Sequence, residues 1–462
     1  MAVAIVGSGL ACSQGPLTDE EMTQLRAFTL PANPPTDPSN MYSGMYASGN
    51  TDPAKLGKRL YFDGGYSGKL LAPFNVAKDV NGALGAAGQD QLVSCASCHD
   101  PANGGADRRS QPNATSLGAG YTGRNAPTVI NAAYSPTWQF WDGRVDSLWS
   151  QALAPPEGGA ECNSNRLHVV HFIYDHYRAD FRAVFGDAAL PDSIATLPPD
   201  GRPGLNPDPS MPCTPSDVNE PFNDAYDCLA DADKMIVDHA YADFGKAIAA
   251  YEGMLISQNF EPSPFDRFMA GDTNAMSPAA IRGASLFVGH AGCAECHNGP
   301  TFTDHQFHNI GAPQAGEYVK LPDNGRYDGV GSLTSATFIF NRGNAEFSDN
   351  TDDTTYIQAL SGPAPDSMKG QFKTPTLRNV SKTAPYMHDG YYQSLWDVVN
   401  HYNFGGATGT YVGERDPAIA PLMLTDAELS DLVEFLEALE DGDNPTAGDD
   451  LPGGLVAPPL PP

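Results

Sequence analysis

The chain has 462 residues, enough for two or three domains with cores of their own, and its 41% hydrophobic content is that of an ordinary globular protein. A formal charge of −30, from 56 acidic against 26 basic side chains, argues against nucleic acid or an anionic membrane as a partner and suits a neutral or basic protein. The 47 glycines and 40 prolines imply long connecting segments.

Residues 1–12, MAVAIVGSGLAC, read as the end of a secretion signal. A short apolar run leads to Leu10-Ala11-Cys12, the pattern of a lipoprotein cleavage box, and is too short to span a bilayer. A lipid on Cys12 is the one membrane attachment expected. Arg26 is the first basic side chain, so the basic flank of a signal is missing. Residues 13–50, polar with scattered prolines, read as a flexible tether. At Asp52-Pro53 a helix is predicted, with Leu56, Leu60 and Tyr61 on one stripe. A glycine-rich insertion, about 64–91, then leads to Cys95.

Cys95, Cys98 and His99 stand in SCASCHD, and the same arrangement recurs at Cys293, Cys296 and His297. Two thiols three positions apart, followed at once by imidazole, are the attachment pattern of c-type haem: the cysteines form thioethers and the histidine coordinates iron. Zinc sites set their cysteine pairs a few tens of residues apart, whereas 198 positions separate Cys95 from Cys293. A redox dithiol belongs at the start of a βαβ unit, which neither motif has. Two covalently bound haem c groups imply redox chemistry and a periplasmic or secreted location. From Asp100 to Cys162 there is neither histidine nor methionine, so an iron held by His99 has no conventional sixth ligand nearby and can bind a small oxidant.

Further along, HVVHFIYDHYRADFRAVFG and KMIVDHAYADFGKAIAAYEGMLIS read as helices whose His168, His171, His176 and His239 are surface or core residues rather than ligands. Residues 187–231, dense in Pro and Asp, read as an inserted loop. Of Cys162, Cys213 and Cys228 at most two can pair, and Cys213 with Cys228 closes the short loop. A second domain begins near residue 262, its first helix capped by Ser277 with Pro278 next. In QSLWDVVNHYNFGG, Leu395, Val398, Val399 and Tyr402 share one helical face and His401 points about 100° away. Tyr402 is therefore the inward residue and a candidate sixth ligand of the second iron, with Met387, Met423 and His401 as rivals. The closing helix has a capping box from Thr425 to Glu428 and a stripe of Leu429, Leu432, Val433 and Leu436. Residues 442–462 read as a disordered tail.

NAPTVINAAYSPTWQFWDGR, FKTPTLRNVSKTAPYMHDG and the two motifs together resemble the bacterial di-haem cytochrome c peroxidase and MauG superfamily, from about residue 52 to 440. The resemblance implies a mainly α fold: two cytochrome-c-like haem domains, 51–261 and 262–441, packed around a shared interface with long loops. It implies that hydrogen peroxide reacts at the first haem and that the second passes electrons. Counting on from the WDGR tryptophan, it places a distal glutamine on Gln151, a distal acid on Glu161, and on Trp141 the residue between the haems. Such an acid takes a proton from the near oxygen of peroxide and returns it to the departing far oxygen. Ala119 stands where ordinary peroxidases of the family carry a histidine that caps the first iron, which implies an open iron needing no reductive activation. At position 402 the peroxidases carry methionine and MauG tyrosine; Ala119 and Tyr402 together place the chain nearer MauG. Asn125, Thr383 and Pro385 match a calcium site of hard oxygen ligands between the domains, and Arg378 and His388 match supports of haem propionates. The implied partner is an electron-donor protein, a small cytochrome or a copper protein, or an oxidisable side chain of a partner protein. A non-catalytic di-haem electron carrier is the remaining reading, and it requires two six-coordinate irons.

Overall fold

The computed structural model describes residues 17–71, 84–107, 109, 115–135, 137–206, 223–351, 355–360 and 362–442. The chain is mainly helical, as expected. In order, the helices that position the site are α1 (Asp19–Arg26), α2 (Asp52–Phe62), α3 (Cys95–Cys98), α4 (Leu148–Gln151), α5 (Arg166–His176), α6 (Asp231–Glu252), α7 (Pro278–Val288), α8 (Leu395–Asn403) and α9 (Asp426–Glu437). Two short strands, β1 (Phe307–His308) and β2 (Phe372–Lys373), pair antiparallel.

Each motif is preceded by a helix that starts on proline and crosses a later helix at a glycine. Pro53 occupies the first turn of α2, and Leu56, Leu60 and Tyr61 are buried in the first core. At Gly57 a Cβ would lie 1.8 Å from the Ala247 carbonyl oxygen, so α2 and α6 touch backbone to backbone. In the second core Ser277 caps α7, its hydroxyl accepting from the Ala280 N–H. The Thr425–Glu428 capping box opens α9. A Cβ at Gly283 would lie 1.9 Å from the Asp431 carbonyl oxygen, so α7 and α9 repeat that close crossing. Phe265, Phe287, Phe302 and Phe435 fill the space beside them, with Phe287 and Phe435 centroids 5.2 Å apart.

The two cores meet through polar contacts. Arg124 forms a two-pronged pair with Asp323, both bonds 2.7 Å, and reaches Asp142 at 2.5 Å. The Arg326 guanidinium donates to the Gly143 carbonyl at 2.7 Å.

The segment expected as a tether is packed instead, over its described part. Leu25 and Phe28 are buried in the second core, and Phe28 stacks on Phe302 at 4.5 Å. Ser39 accepts the Trp149 indole N–H at 2.9 Å in the first. Isolated apolar residues without periodicity carry no sequence signal for such docking. The expected insert is also anchored: Leu190 and Ile194 lie in the first core, and the Asp227 carboxylate accepts from the backbone N–H groups of Gly204, Leu205 and Asn206. Residues 1–16, with the expected lipid-anchor cysteine Cys12, and 443–462 of the expected tail lie outside the described residues. No helix among those described is long and apolar enough to cross a membrane.

Candidate active site

Around the first motif, α3 is a single turn that puts Cys95 and Cys98 on successive edges, with Ser94 and Ser97 closing a capping box. Burial pushes the Cys95 thiol up to about 12, and that of Cys98 upward too, so both stay protonated. The Tyr66 hydroxyl lies 3.3 Å from the Cys95 sulfur, and the Tyr61 hydroxyl donates to the His99 carbonyl at 2.5 Å. Burial lowers the His99 pKa, so the ring is neutral. Its Nδ1 lies 2.9 Å from the Pro127 carbonyl oxygen, which assigns the proton to Nδ1 and leaves the Nε2 lone pair free for a metal.

The distal candidates come together through backbone. The Ala119 N–H donates to the Glu161 carbonyl at 2.6 Å, and the Gly120 N–H to the Ala160 carbonyl at 2.9 Å. Ala119 is buried, beside the residue expected as the acid. The Glu161 carboxyl has no hydrogen-bond partner among the described residues. Burial pushes its pKa above the ordinary value, and Arg144 pulls the other way. Its charge is felt by both Cys95 and Cys98, which places it at the first motif. Gly158 makes the room: a Cβ there would lie 2.2 Å from Glu161 Oε2. Gln151 ends α4, half-buried, and no hydrogen bond joins its side chain to Glu161 among the described residues.

The second motif opens onto a cavity lined by Cys293, Cys296, His297 and, from α8, Leu395, Val399 and Tyr402. His297 repeats the arrangement of His99. Burial lowers its pKa, and its Nδ1 lies 2.9 Å from the Phe302 carbonyl oxygen. Tyr402 is enclosed, and burial raises its phenol further than the neighbouring Cys293 and Cys296 do. Of its rivals, His401 is buried with Nδ1 2.9 Å from the Tyr392 hydroxyl and Nε2 3.1 Å from the Ile310 carbonyl oxygen, so neither nitrogen is free. Met423 is 84% exposed. Met387 does line the cavity.

Trp141 is hydrogen-bonded on two sides. Its indole N–H donates to the Asn125 carbonyl at 2.8 Å, two residues before the Pro127 carbonyl that holds His99. Its own carbonyl accepts the Lys373 N–H of β2 at 2.7 Å, and its side chain lines the second cavity.

Of the expected calcium ligands, Asn125 and Pro385 are adjacent, the Asn125 Nδ2 donating to the Pro385 carbonyl at 2.7 Å. The Thr383 hydroxyl turns to the Val380 carbonyl, leaving its own carbonyl as the donor to a cation. An amide flip at Asn125 would present a hard oxygen beside Pro385, as calcium requires. Arg378, expected to support a propionate, is buried, paired with Asp266 at 2.8 Å and donating to the Pro300 and Phe28 carbonyls, which engages four of its five N–H groups. Its charge holds α1's C-terminal neighbour in place instead. His388 does line the second cavity, stacked on Phe372 at 3.7 Å. His168 pairs through Nδ1 with Asp200 and His239 with Glu346, and the Nε2 atoms of His168 and His171 are buried without a hydrogen-bond partner among the described residues. Cys228 is disulfide-bonded, Cys213, its expected partner, lies outside the described residues, and Cys162 is a free buried thiol. The places of Arg144, Tyr61 and Lys373 at the two sites escaped the sequence reading, which had Tyr61 only on the apolar stripe of α2, although Arg144 stands in WDGR and Lys373 in FKTPTLRN.

Both motifs fit haem. Each presents two protonated thiols for thioether bonds beside a neutral imidazole with Nε2 free, and the second does so in a mostly apolar cavity. The fold and the sites thus define a helical protein built to carry c-type haem twice. Residues 51–197 match the model of the di-haem cytochrome c peroxidase family. The chain is 31% identical over 448 residues to cytochrome-c peroxidase IdrP1 of Denitromonas iodatirespirans, covering 95% of this chain and 91% of that protein. It is 28% identical over 440 residues to methylamine utilization protein MauG of Methylorubrum extorquens, covering 94% and 89%. The crystal structure of the diheme peroxidase BthA from Burkholderia thailandensis has a similar fold, with a TM-score of 0.56 at 21% identity, covering 89% of this chain and 91% of that one. The chain belongs to the di-haem cytochrome c peroxidase family, oxidoreductases that act on peroxide and carry two c-type haems.

Proposed function

We propose that this protein reduces hydrogen peroxide at the His99 site with MauG-like ligation, drawing two electrons and two protons per peroxide to release two waters. The haems of a 51–261 domain and a 262–441 domain, facing a shared interface, would supply the redox iron. Glu161 takes the proton from the near oxygen of peroxide and delivers it to the far oxygen as it leaves as water. Its half-buried carboxyl, without a hydrogen-bond partner among the described residues, suits that exchange, since a raised pKa brings its two protonation states closer in energy near neutral pH. Gln151 orients the oxidant, and Ala119 leaves the distal face open. Trp141 carries electrons between the sites. The observation that supports this reading above all is the double anchoring of Trp141, to the segment that holds His99 and to the wall of the His297 cavity.

Tyr402 would be the ligand opposite His297 to a second haem: His401 is fully engaged and Met423 exposed, and Met387 is the one named rival that also lines the cavity. Burial raises the pKa of its phenol, so binding as phenolate would need the positive charge of a metal to offset that cost. Asn125, Thr383 and Pro385 hold calcium where the halves meet. The electrons come from a neutral or basic partner, fitted to the −30 surface. Either an oxidisable side chain of that partner or a small cytochrome or copper protein can supply them. The protein works in the periplasm or outside the cell.

One equivalent of hydrogen peroxide added to the fully ferric protein tests the proposal by optical and spin-resonance spectra. Rapid loss of both ferric signals is expected. Reaction only after one-electron reduction would return the protein to the ordinary peroxidases, and no reaction in either state would leave a non-catalytic electron carrier.

A further inference from the structure

The wall of the second cavity is mostly apolar, and among the polar groups that interrupt it are Lys373 of β2 and His305. The Lys373 ammonium has no hydrogen-bond or ion-pair partner among the described residues. The carboxylate whose field it feels, Asp304, is already taken by His308 at 3.0 Å. His305 Nδ1 is buried and without a partner. Its backbone is held in the left-handed region at φ 57°, which a histidine adopts at a cost that surrounding structure must cover. Burial pushes Lys373 down to about 8 and His305 to about 4, with Lys373 adding to the effect on the histidine. An ammonium partly removed from water beside a buried, unpartnered imidazole nitrogen favours an anion that completes the site.

Resting on the reading that the His297 motif carries haem, we propose that Lys373 and His305 form an anion-binding corner that holds a carboxylate of that haem. A carboxylate suits both donors: it accepts from the ammonium as a charge-assisted bond and from the neutral ring N–H. Haem carries its carboxylates at the edge of an otherwise apolar disc, which matches an unpaired ammonium on the wall of a mostly apolar cavity. The same lysine gives its backbone N–H to the Trp141 carbonyl, so the residue that seats the haem edge is bonded to the residue that bridges the two sites. The ammonium also offsets the carboxylate's negative charge. Without it, ferric iron is favoured over ferrous, and the midpoint potential of this haem falls.

The experiment is a spectroelectrochemical titration of the two-haem protein, following the His297 haem, together with resonance Raman of its carboxylate bending modes. Lys373→Gln is expected to lower the potential and shift those modes, and Lys373→Arg to restore both, a rescue that a merely packing role would not show. Should Lys373→Gln not accumulate with two haems, His305→Leu is the second variant, with a smaller downward shift expected. An unchanged potential and unchanged modes in Lys373→Gln, or in His305→Leu where that variant stands in, overturn the proposal. Intact mass of the wild type separates this from failure of the underlying reading: a protein that carries no haem at Cys293 and Cys296 removes both.

Discussion

Glu161→Gln keeps the shape of the side chain and removes its ability to exchange a proton. General acid–base catalysis by a positioned side chain contributes about 10²–10⁴-fold, which at about 1.36 kcal/mol per decade is roughly 3–5 kcal/mol of barrier. Stopped-flow mixing of the ferric protein with peroxide is expected to show a loss of that size. The wild-type rate should fall as pH drops through the Glu161 pKa, because the ionised form takes the first proton. Burial raises that pKa, so the acid limb lies above that of an ordinary carboxylate. Arg144→Gln removes the charge that opposes the rise, and should move the limb further up. Stability should move the other way from activity. A carboxyl whose folded pKa is raised binds its proton more tightly in the folded state, so its contribution is lost as pH climbs from the unfolded to the folded pKa. At neutral pH Glu161→Gln therefore relieves a penalty and is expected to raise the melting temperature. Gly158→Ala, which puts a Cβ 2.2 Å from Oε2, displaces the carboxylate without deleting it and should cost part of the rate. An unchanged peroxide rate in Glu161→Gln, combined with a lower melting temperature, would refute the assignment and make Glu161 a structural residue.

Ala119→His should cap the first iron, so that peroxide reacts only after one-electron reduction; its close fit against the Glu161 backbone predicts an added packing cost of about 1–3 kcal/mol in chemical denaturation. Tyr402→Met should raise the potential of the second haem and change its ligand spectrum, while His401→Gln leaves that spectrum in place. Gly283→Ala should lower stability by about 1–3 kcal/mol, since its Cβ would meet the Asp431 carbonyl 1.9 Å away and pry α7 from α9. Chelator treatment followed by elemental analysis should remove one calcium and slow electron exchange between the haems; a protein that never contained calcium sinks that part of the reading.

The chain by itself determined whatever local spacing determines. Cys95, Cys98 and His99 sit within one turn, so their chemistry is legible without a fold, as is that of Cys293, Cys296 and His297. The capped, proline-started helices α2 and α7 are local too, and so is the inward face of α8 that carries Tyr402. The rest depended on partners distant in sequence. Leu25 and Phe28 look like scattered apolar residues of a tether, and the second core shows them to be part of it. Arg378 reads as a haem support, and only the fold shows Asp266, Pro300 and Phe28 engaging four of its five N–H groups. His401 looked turned away because helical spacing ranks faces without saying what covers each one. Tyr392 and Ile310 cover it. The raised pKa of Glu161 and the unpartnered ammonium of Lys373 likewise belong to no segment. Desolvation and pairing are properties of the volume around a group, and only the folded chain decides what fills that volume.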